Sequence, residues 1–120
     1  MIAVFDTNIV IDALNGLPEA EEEYTRYEQV LISRITWMEV LVGARENETQ
    51  LRNFMETHFE IIPIDLIVAE NAVRIRRTYH IRLPDAIIWA TAQTNDVVLV
   101  TRNSKDFNPE WDDIRVPYKF

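Results

Sequence analysis

Two short segments, Ile2-Ala3-Val4-Phe5 and Val97-Val98-Leu99-Val100, are apolar at every position. Each runs directly into a polar cluster, Asp6-Thr7-Asn8 in the first case and Thr101-Arg102-Asn103 in the second. A strand with one wet face alternates apolar and polar residues; a strand with no polar position has both faces covered, as in a parallel sheet sandwiched between helices. Parallel neighbours need long crossovers, so the intervening chain must supply helices. It does. Ile9, Val10, Ala13 and Leu14 recur at helical spacing until Asn15-Gly16, and Pro18 opens a second helix toward Gln29. Val30-Leu31-Ile32-Ser33 reads as a strand, Ile35 to Ala44 as a helix, and Thr49 to His58 as another, with Leu51, Phe54 and Met55 on one side. Glu60 to Ile64 reads as a strand whose Pro63 favours a sheet edge or a strand end. Leu66 to Tyr79 is an amphipathic helix. Pro84 opens a helix through Ala92 that is apolar nearly all round and hence central. Ile114-Arg115-Val116 makes a last short strand. With no internal repeat or linker, residues 1–120 read as a single α/β domain of three layers, a mainly parallel central sheet flanked by helices.

Composition narrows the function classes. A chain of 120 residues with 48% hydrophobic content supports one core. The absence of cysteine removes disulfide frameworks, iron–sulfur clusters and thiolate zinc sites. No apolar run approaches the ~20 residues of a membrane span, and the start lacks a basic leader region, so the expected location is the cytoplasm and no membrane partner is expected. The net charge of −8 argues against a simple nucleic-acid coat, but the excess is uneven. Residues 1–60 hold 12 acids and 4 bases, whereas residues 61–120 hold 8 of each. Glu19 and Glu21 to Glu23 follow Pro18 and suit the first turn of a helix. The bases Arg74, Arg76, Arg77 and Arg82, with Arg102 further on, are either a solvated face or contacts for phosphate.

Ligands of open parallel sheets collect beyond the carboxyl ends of the strands, where strand order reverses. The clusters after Phe5 and Val100 are placed to meet there. Two further acids stand in otherwise apolar helical segments, Glu39 amid Trp37, Met38, Val40 and Leu41, and Asp85 just after Pro84. Burying an ionised carboxylate costs several kcal/mol unless it is paired, and neither segment contains a base. A shared divalent cation would pair several such acids at once. Each acid also has a simpler reading. Asp6 or Asn8 suits a helix cap, Thr36-Trp37-Met38-Glu39 fits a capping box, Asp85 suits the helix dipole, and Asn103 and Asp106 suit a turn. An all-carboxylate cluster selects Mg²⁺ or Mn²⁺, ions that activate water and neutralise a phosphodiester as charge builds on it. His58 and His80 read as surface or capping residues. Both glycines stand alone, so there is no phosphate loop, and no serine nucleophile elbow is present.

These blocks in this order resemble the PIN-domain ribonucleases, and within them the VapC-type toxins of prokaryotic toxin–antitoxin pairs. The resemblance spans nearly the whole chain and rests on Val4 to Asn8, Met38-Glu39-Val40 with Gly43, Leu83 to Ala92, and Leu99 to Asn103 with Asp106-Phe107. It implies a PIN-like three-layer fold and a metal-dependent endoribonuclease in which Asp6, Glu39 and Asp85 hold Mg²⁺ or Mn²⁺. Thr7 and Asn8 would support Asp6, and Thr101, Asn103 and Asp106 would complete the rim. Many family members carry a fourth acid where this chain has Asn103. The resemblance also implies a homodimer, an RNA substrate, and an antitoxin whose basic tail fills the catalytic groove. Arg74, Arg76, Arg77, Arg82 and Arg102 are the candidate RNA contacts.

Two other readings compete. A PIN-like fold lacking the fourth acid could serve as an inactive binding module. A Mg²⁺-binding receiver domain would need an acid pair after its first strand and a lysine after its last, where this chain has Asp6-Thr7-Asn8 and Thr101.

Overall fold

The apolar strand positions divide cleanly between two opposite faces of one sheet. A computed structural model describes residues 1–120 as β1 (Ile2–Phe5), α1 (Thr7–Leu14), α2 (Pro18–Thr25), β2 (Gln29–Ser33), α3 (Arg34–Val42), α4 (Glu48–His58), β3 (Glu60–Ile62), α5 (Leu66–Tyr79), α6 (Leu83–Thr94), β4 (Val98–Val100) and β5 (Ile114–Arg115). Val4, Leu31 and Leu99 point into one cluster with Val68, Ala72 and Ile75 of α5 and Ala86, Ile88 and Trp89 of α6. Their neighbours Ala3, Phe5, Val30, Ile32 and Val100 point the other way, onto Ile9 and Val10 of α1, Val40 of α3, Met55 of α4 and Phe59. This alternation is why Ala3 to Phe5 of β1 and Leu99 and Val100 of β4, buried on one face or the other, are all apolar. Burying a side chain such as Phe5 or Leu99 stabilises the fold by about 1.5–3 kcal/mol each.

The strands lie in the order β3-β2-β1-β4-β5, and every neighbouring pair is parallel. The chain builds outward from β1 through β2 to β3, then crosses back to the far side of β1 for β4 and β5. Strand order therefore reverses between β1 and β4, which is where such a sheet opens a crevice at its carboxyl edge. The fold is the three-layer α/β arrangement expected from the sequence.

Several boundaries differ from the sequence pattern, two of them for identifiable reasons. The helix opened by Pro18 stops at Thr25 instead of running to Gln29, because Gln29 already pairs with Ile2 in the sheet. Tyr27, in the intervening turn, packs edge-on against Phe5 with ring centroids 6.0 Å apart. The third strand ends at Ile62, not Ile64, since Pro63 has no N–H to extend the ladder, and it lies at the sheet edge as a proline there requires. The helix after Leu83 continues past Ala92 to Thr94.

An ion pair with a buried carboxylate and a half-buried guanidinium ties the helical layer to the far edge of the sheet. Glu23 of α2 accepts from Arg115 of β5 through both carboxylate oxygens, at 2.6 and 2.9 Å, and from the Tyr27 hydroxyl at 2.6 Å.

Candidate active site

Strands β1 and β4 end side by side. Phe5 is in register with Val100, and the Asp6 N–H donates to the Val100 carbonyl at 2.9 Å, so Asp6 and Thr101 meet at the carboxyl edge. There the Thr101 hydroxyl donates to Asp6 Oδ2 at 2.7 Å and the Asn8 side-chain amide donates to the same oxygen at 3.3 Å. Asp6 Oδ1 accepts from the Thr7 N–H at 2.8 Å, which makes Asp6 the N-cap of α1. The capping reading of Asp6 therefore holds, and it coexists with a carboxylate that faces a cavity.

Glu39 reaches the same place from α3. Ser33 caps that helix by accepting from the Ile35 N–H at 3.2 Å, so Thr36 lies inside the helix and Glu39 in its second turn, where no capping box can form. Glu39 Oε1 instead accepts from the Thr7 hydroxyl at 2.7 Å, and that hydroxyl sits 3.0 Å from the hydroxyl of Thr36. Asp85 enters from the first turn of α6 and is buried. Its Oδ2 has no hydrogen-bond partner. The nearest cation is Arg82, just before the helix, whose Nε lies 3.5 Å away. The helical segment itself holds no base, as expected; Arg82 reaches in from just outside it, in an ion pair too long to satisfy the oxygen.

These groups line one open cavity of about 440 Å³, whose wall includes Asp6, Thr7, Asn8, Glu39, Arg82, Asp85, Arg102 and Asn103. Ile11 is the one hydrophobic residue on that wall. Asp106 is not on it. Asn103 donates to Asp106 Oδ2 at 3.0 Å and accepts from the Asp106 N–H at 3.3 Å, so both residues form a turn, as their simpler reading supposed. Asp106 is nevertheless close enough for its charge to act on Asp85.

The electrostatics follow from burial that the nearby donors offset only in part. Burial pushes the Asp6 carboxyl up to about 6; the charges of Asp85 and Glu39 add to this, and the hydrogen bonds from Thr101 and Thr7 partly offset it. Burial also raises Asp85, against the lowering effect of Arg82 and with the help of Asp106 and Glu39. In the side-chain positions present, no three acids or histidines converge on a single point. The donor set still fits a hard divalent cation. The cavity wall carries three carboxylates, two of the acids are buried and raised by burial and like charge, and Asp85 Oδ2 has no hydrogen-bond partner.

The arginines separate. Of the five singled out by the sequence, Arg82 and Arg102 line the cavity. Arg74 and Arg77 line a different groove with Glu70 and Thr78, and Arg76 is exposed on the same helix, α5. Arg102 is already bound, to Asp12 of α1, at 2.7 Å through Nε and 3.2 Å through Nη2. Asp12 is buried and drew no attention in the sequence, although an acid inside Ile9-Val10-Ile11-Asp12-Ala13-Leu14 is itself a signal of a partner. His80 caps α5 in a left-handed conformation with φ 59°, and His58 ends α4 against Phe54 and Tyr24. Neither lines the cavity.

Comparison with known proteins agrees with this architecture. The PIN domain family profile matches residues 3–108. A chain of a toxin–antitoxin complex from Klebsiella pneumoniae is similar at 43% identity and a TM-score of 0.89, covering 98% of this chain and 99% of that one. FitAcB from Neisseria gonorrhoeae is similar at 25% identity and a TM-score of 0.78, with 98% of each chain covered. VapBC2 from Rickettsia felis, solved bound to a DNA fragment from their promoter, shares the fold at 22% identity and a TM-score of 0.77, covering 100% of this chain and 99% of that one. No curated protein sequence matches significantly. A parallel sheet reversing at β1 and β4, acids gathered at that reversal, and a family match across most of the length lead to one conclusion: the chain belongs to the PIN-domain family.

Proposed function

We propose that this protein is a metal-dependent endoribonuclease and the toxin of a toxin–antitoxin pair. The observation that carries the reading is that three carboxylates, Asp6, Glu39 and Asp85, line one cavity at the strand-order reversal, two of them buried and with Asp85 Oδ2 left without a hydrogen-bond partner. Asp6, Glu39 and Asp85 would hold the cation, Mg²⁺ or Mn²⁺. When bound, such an ion supplies a Lewis acid for the phosphodiester and a lowered pKa for its water. The protein's own groups do the rest. Thr101, Asn8 and Thr7 fix both oxygens of Asp6, and Thr7 also aims Glu39. Arg82, exposed at the cavity wall and loosely paired, is the group free to contact a substrate phosphate. Asn103 contributes an amide wall and no charge.

The acidic cavity suits a basic tail from an antitoxin, and the 43% identity to a chain of a toxin–antitoxin complex supports that partner. A homodimer working in the cytoplasm completes the reading. The test is purified protein against a structured model RNA. Cleavage should require Mg²⁺ or Mn²⁺ and disappear with EDTA, with Asp6→Asn and with Asp85→Asn; cleavage that persists in any of these overturns the proposal.

One observation favours a second reading, a binding module without catalysis. Asn103, the position where the family resemblance leads one to expect an acid, is an amide, and its side chain is spent on Asp106. Calorimetric titration showing no Mn²⁺ binding, together with no toxicity on expression alone, would select it.

A further inference from the structure

Arg102 lines the cavity, yet its guanidinium is hydrogen-bonded to Asp12 and not to Asp6, Glu39 or Asp85. Asp12 takes it through two hydrogen bonds, and the Tyr118 hydroxyl donates to the same Asp12 Oδ2 at 2.8 Å. The ring of Phe120 covers the guanidinium at 4.7 Å. Meanwhile the Arg102 backbone N–H donates to Asn8 Oδ1 at 3.3 Å. Asn8 and Asp12 are four residues apart, so they lie on one face of α1, and Arg102 straddles them with its backbone on one and its side chain on the other. The consequence reaches Asp6. With its oxygen occupied by Arg102, the Asn8 amide must present its NH₂ to Asp6 Oδ2. The adjacent Thr101, held in the sheet edge by its N–H to the Arg115 carbonyl, presents its hydroxyl to the same oxygen.

We infer that Asp12, Arg102 and Tyr118 form a positioning unit that locks the loop after β4 onto α1 and thereby orients the Asp6 carboxylate, and that Arg102 does not contact the substrate. The physical need is plain. Asp6 is repelled by Asp85 and Glu39, and an unrestrained carboxylate would turn away from them. Partners behind metal-binding residues matter for that reason, and losing them weakens affinity or turnover substantially. The unit spans positions 12, 102 and 118, brought together by the pairing of β4 with β1 and by the chain after β5 crossing back over α1.

The inference rests on the metal-site reading above, and the test separates the two. Mn²⁺ affinity is measured calorimetrically on the full chain without RNA, alongside kcat and KM on RNA, for wild type, Asp12→Asn, Tyr118→Phe and Arg102→Lys. The expected result is about 10-fold weaker Mn²⁺ binding and lower kcat for Asp12→Asn and Arg102→Lys, with KM unchanged. Tyr118→Phe removes a single hydroxyl, leaves the ring packing in place, and should lose roughly 3-fold. If Arg102 were instead a substrate contact, Asp12→Asn would release it, tightening RNA binding and lowering KM; that outcome overturns the inference. So does Mn²⁺ binding that is equal in wild type and all three variants. A wild-type protein that fails to bind Mn²⁺ refutes the metal-site reading beneath it.

Discussion

Replacing Asp6 by Asn should stabilise the metal-free protein while abolishing its activity. Asp6 is 3% exposed and its carboxyl is raised from the ordinary value of 3.8 to about 6. A carboxyl whose folded pKa lies above its unfolded pKa binds its proton more tightly in the native state. The native state is therefore favoured below 3.8, loses stability as pH rises through 6, and levels off above. The loss amounts to about 3 kcal/mol, at about 1.4 kcal/mol per pKa unit. Asparagine carries no charge and escapes that loss. Its NH₂ would face the Asn8 NH₂ where Asp6 Oδ2 now accepts, and the spoiled hydrogen bond costs about 1 kcal/mol. The net expectation near neutral pH is a gain of about 2 kcal/mol, or roughly 5–10 °C in Tm for a domain of this size. The assay is thermal and urea denaturation of wild type and Asp6→Asn in EDTA from mildly acidic to mildly alkaline pH, repeated with Mn²⁺. The variant's advantage should shrink toward acid pH, and Mn²⁺ should stabilise wild type alone. A variant less stable than wild type at neutral pH in EDTA would refute the electrostatic account, as would a wild-type stability that climbs with pH across that range.

Other outcomes follow from individual contacts. Thr7→Val removes the hydroxyl that orients Glu39 and should lower kcat about 10-fold with little change in Tm, measured by RNA cleavage and calorimetry. Arg82→Ala should raise KM for RNA and flatten its salt dependence, since the one loosely paired base on the cavity wall is gone; unchanged KM would remove Arg82 from the substrate path. Arg115→Ala removes the main cationic partner of the buried Glu23, leaving Arg26 at 3.7 Å and the Tyr27 hydroxyl, and should cost about 1.5–3 kcal/mol in urea denaturation. Burial opposes Glu23 ionisation, but Arg115 and Tyr27 outweigh it and hold the carboxyl below its ordinary value of 4.5. Stability from this pair is thus present above that value and lost as pH falls through the lowered one, an acid limb that Glu23→Gln should remove.

Much of this molecule is legible in the order of its residues. The continuously apolar runs at Ile2–Phe5 and Val98–Val100 require a sheet covered on both sides, and that alone implies helices between strands and a polar cluster at each strand's carboxyl end. Asp6, Glu39 and Asp85 stand out because an acid among apolar neighbours needs a partner, a chemical fact visible without coordinates. What a linear pattern does not carry is which strands are neighbours. The reversal of order at β1 and β4 sets Asp6 against Thr101, 95 residues away in sequence, and it is long-range hydrogen bonding across that junction that orients the carboxylate. Tertiary structure also sorted residues of equal appearance. Five arginines looked interchangeable; the fold sends three to α5, leaves Arg82 on the cavity wall, and commits Arg102 to Asp12. Thr36 and Glu39 have the spacing of a capping box, yet the helix begins three residues earlier because β2 ends at Ser33 and that serine caps it. Local sequence determines which residues must be buried, because burial is a property of each side chain's own chemistry. Only the packing of distant segments decides what each buried polar group meets, because those partners come from anywhere in the chain.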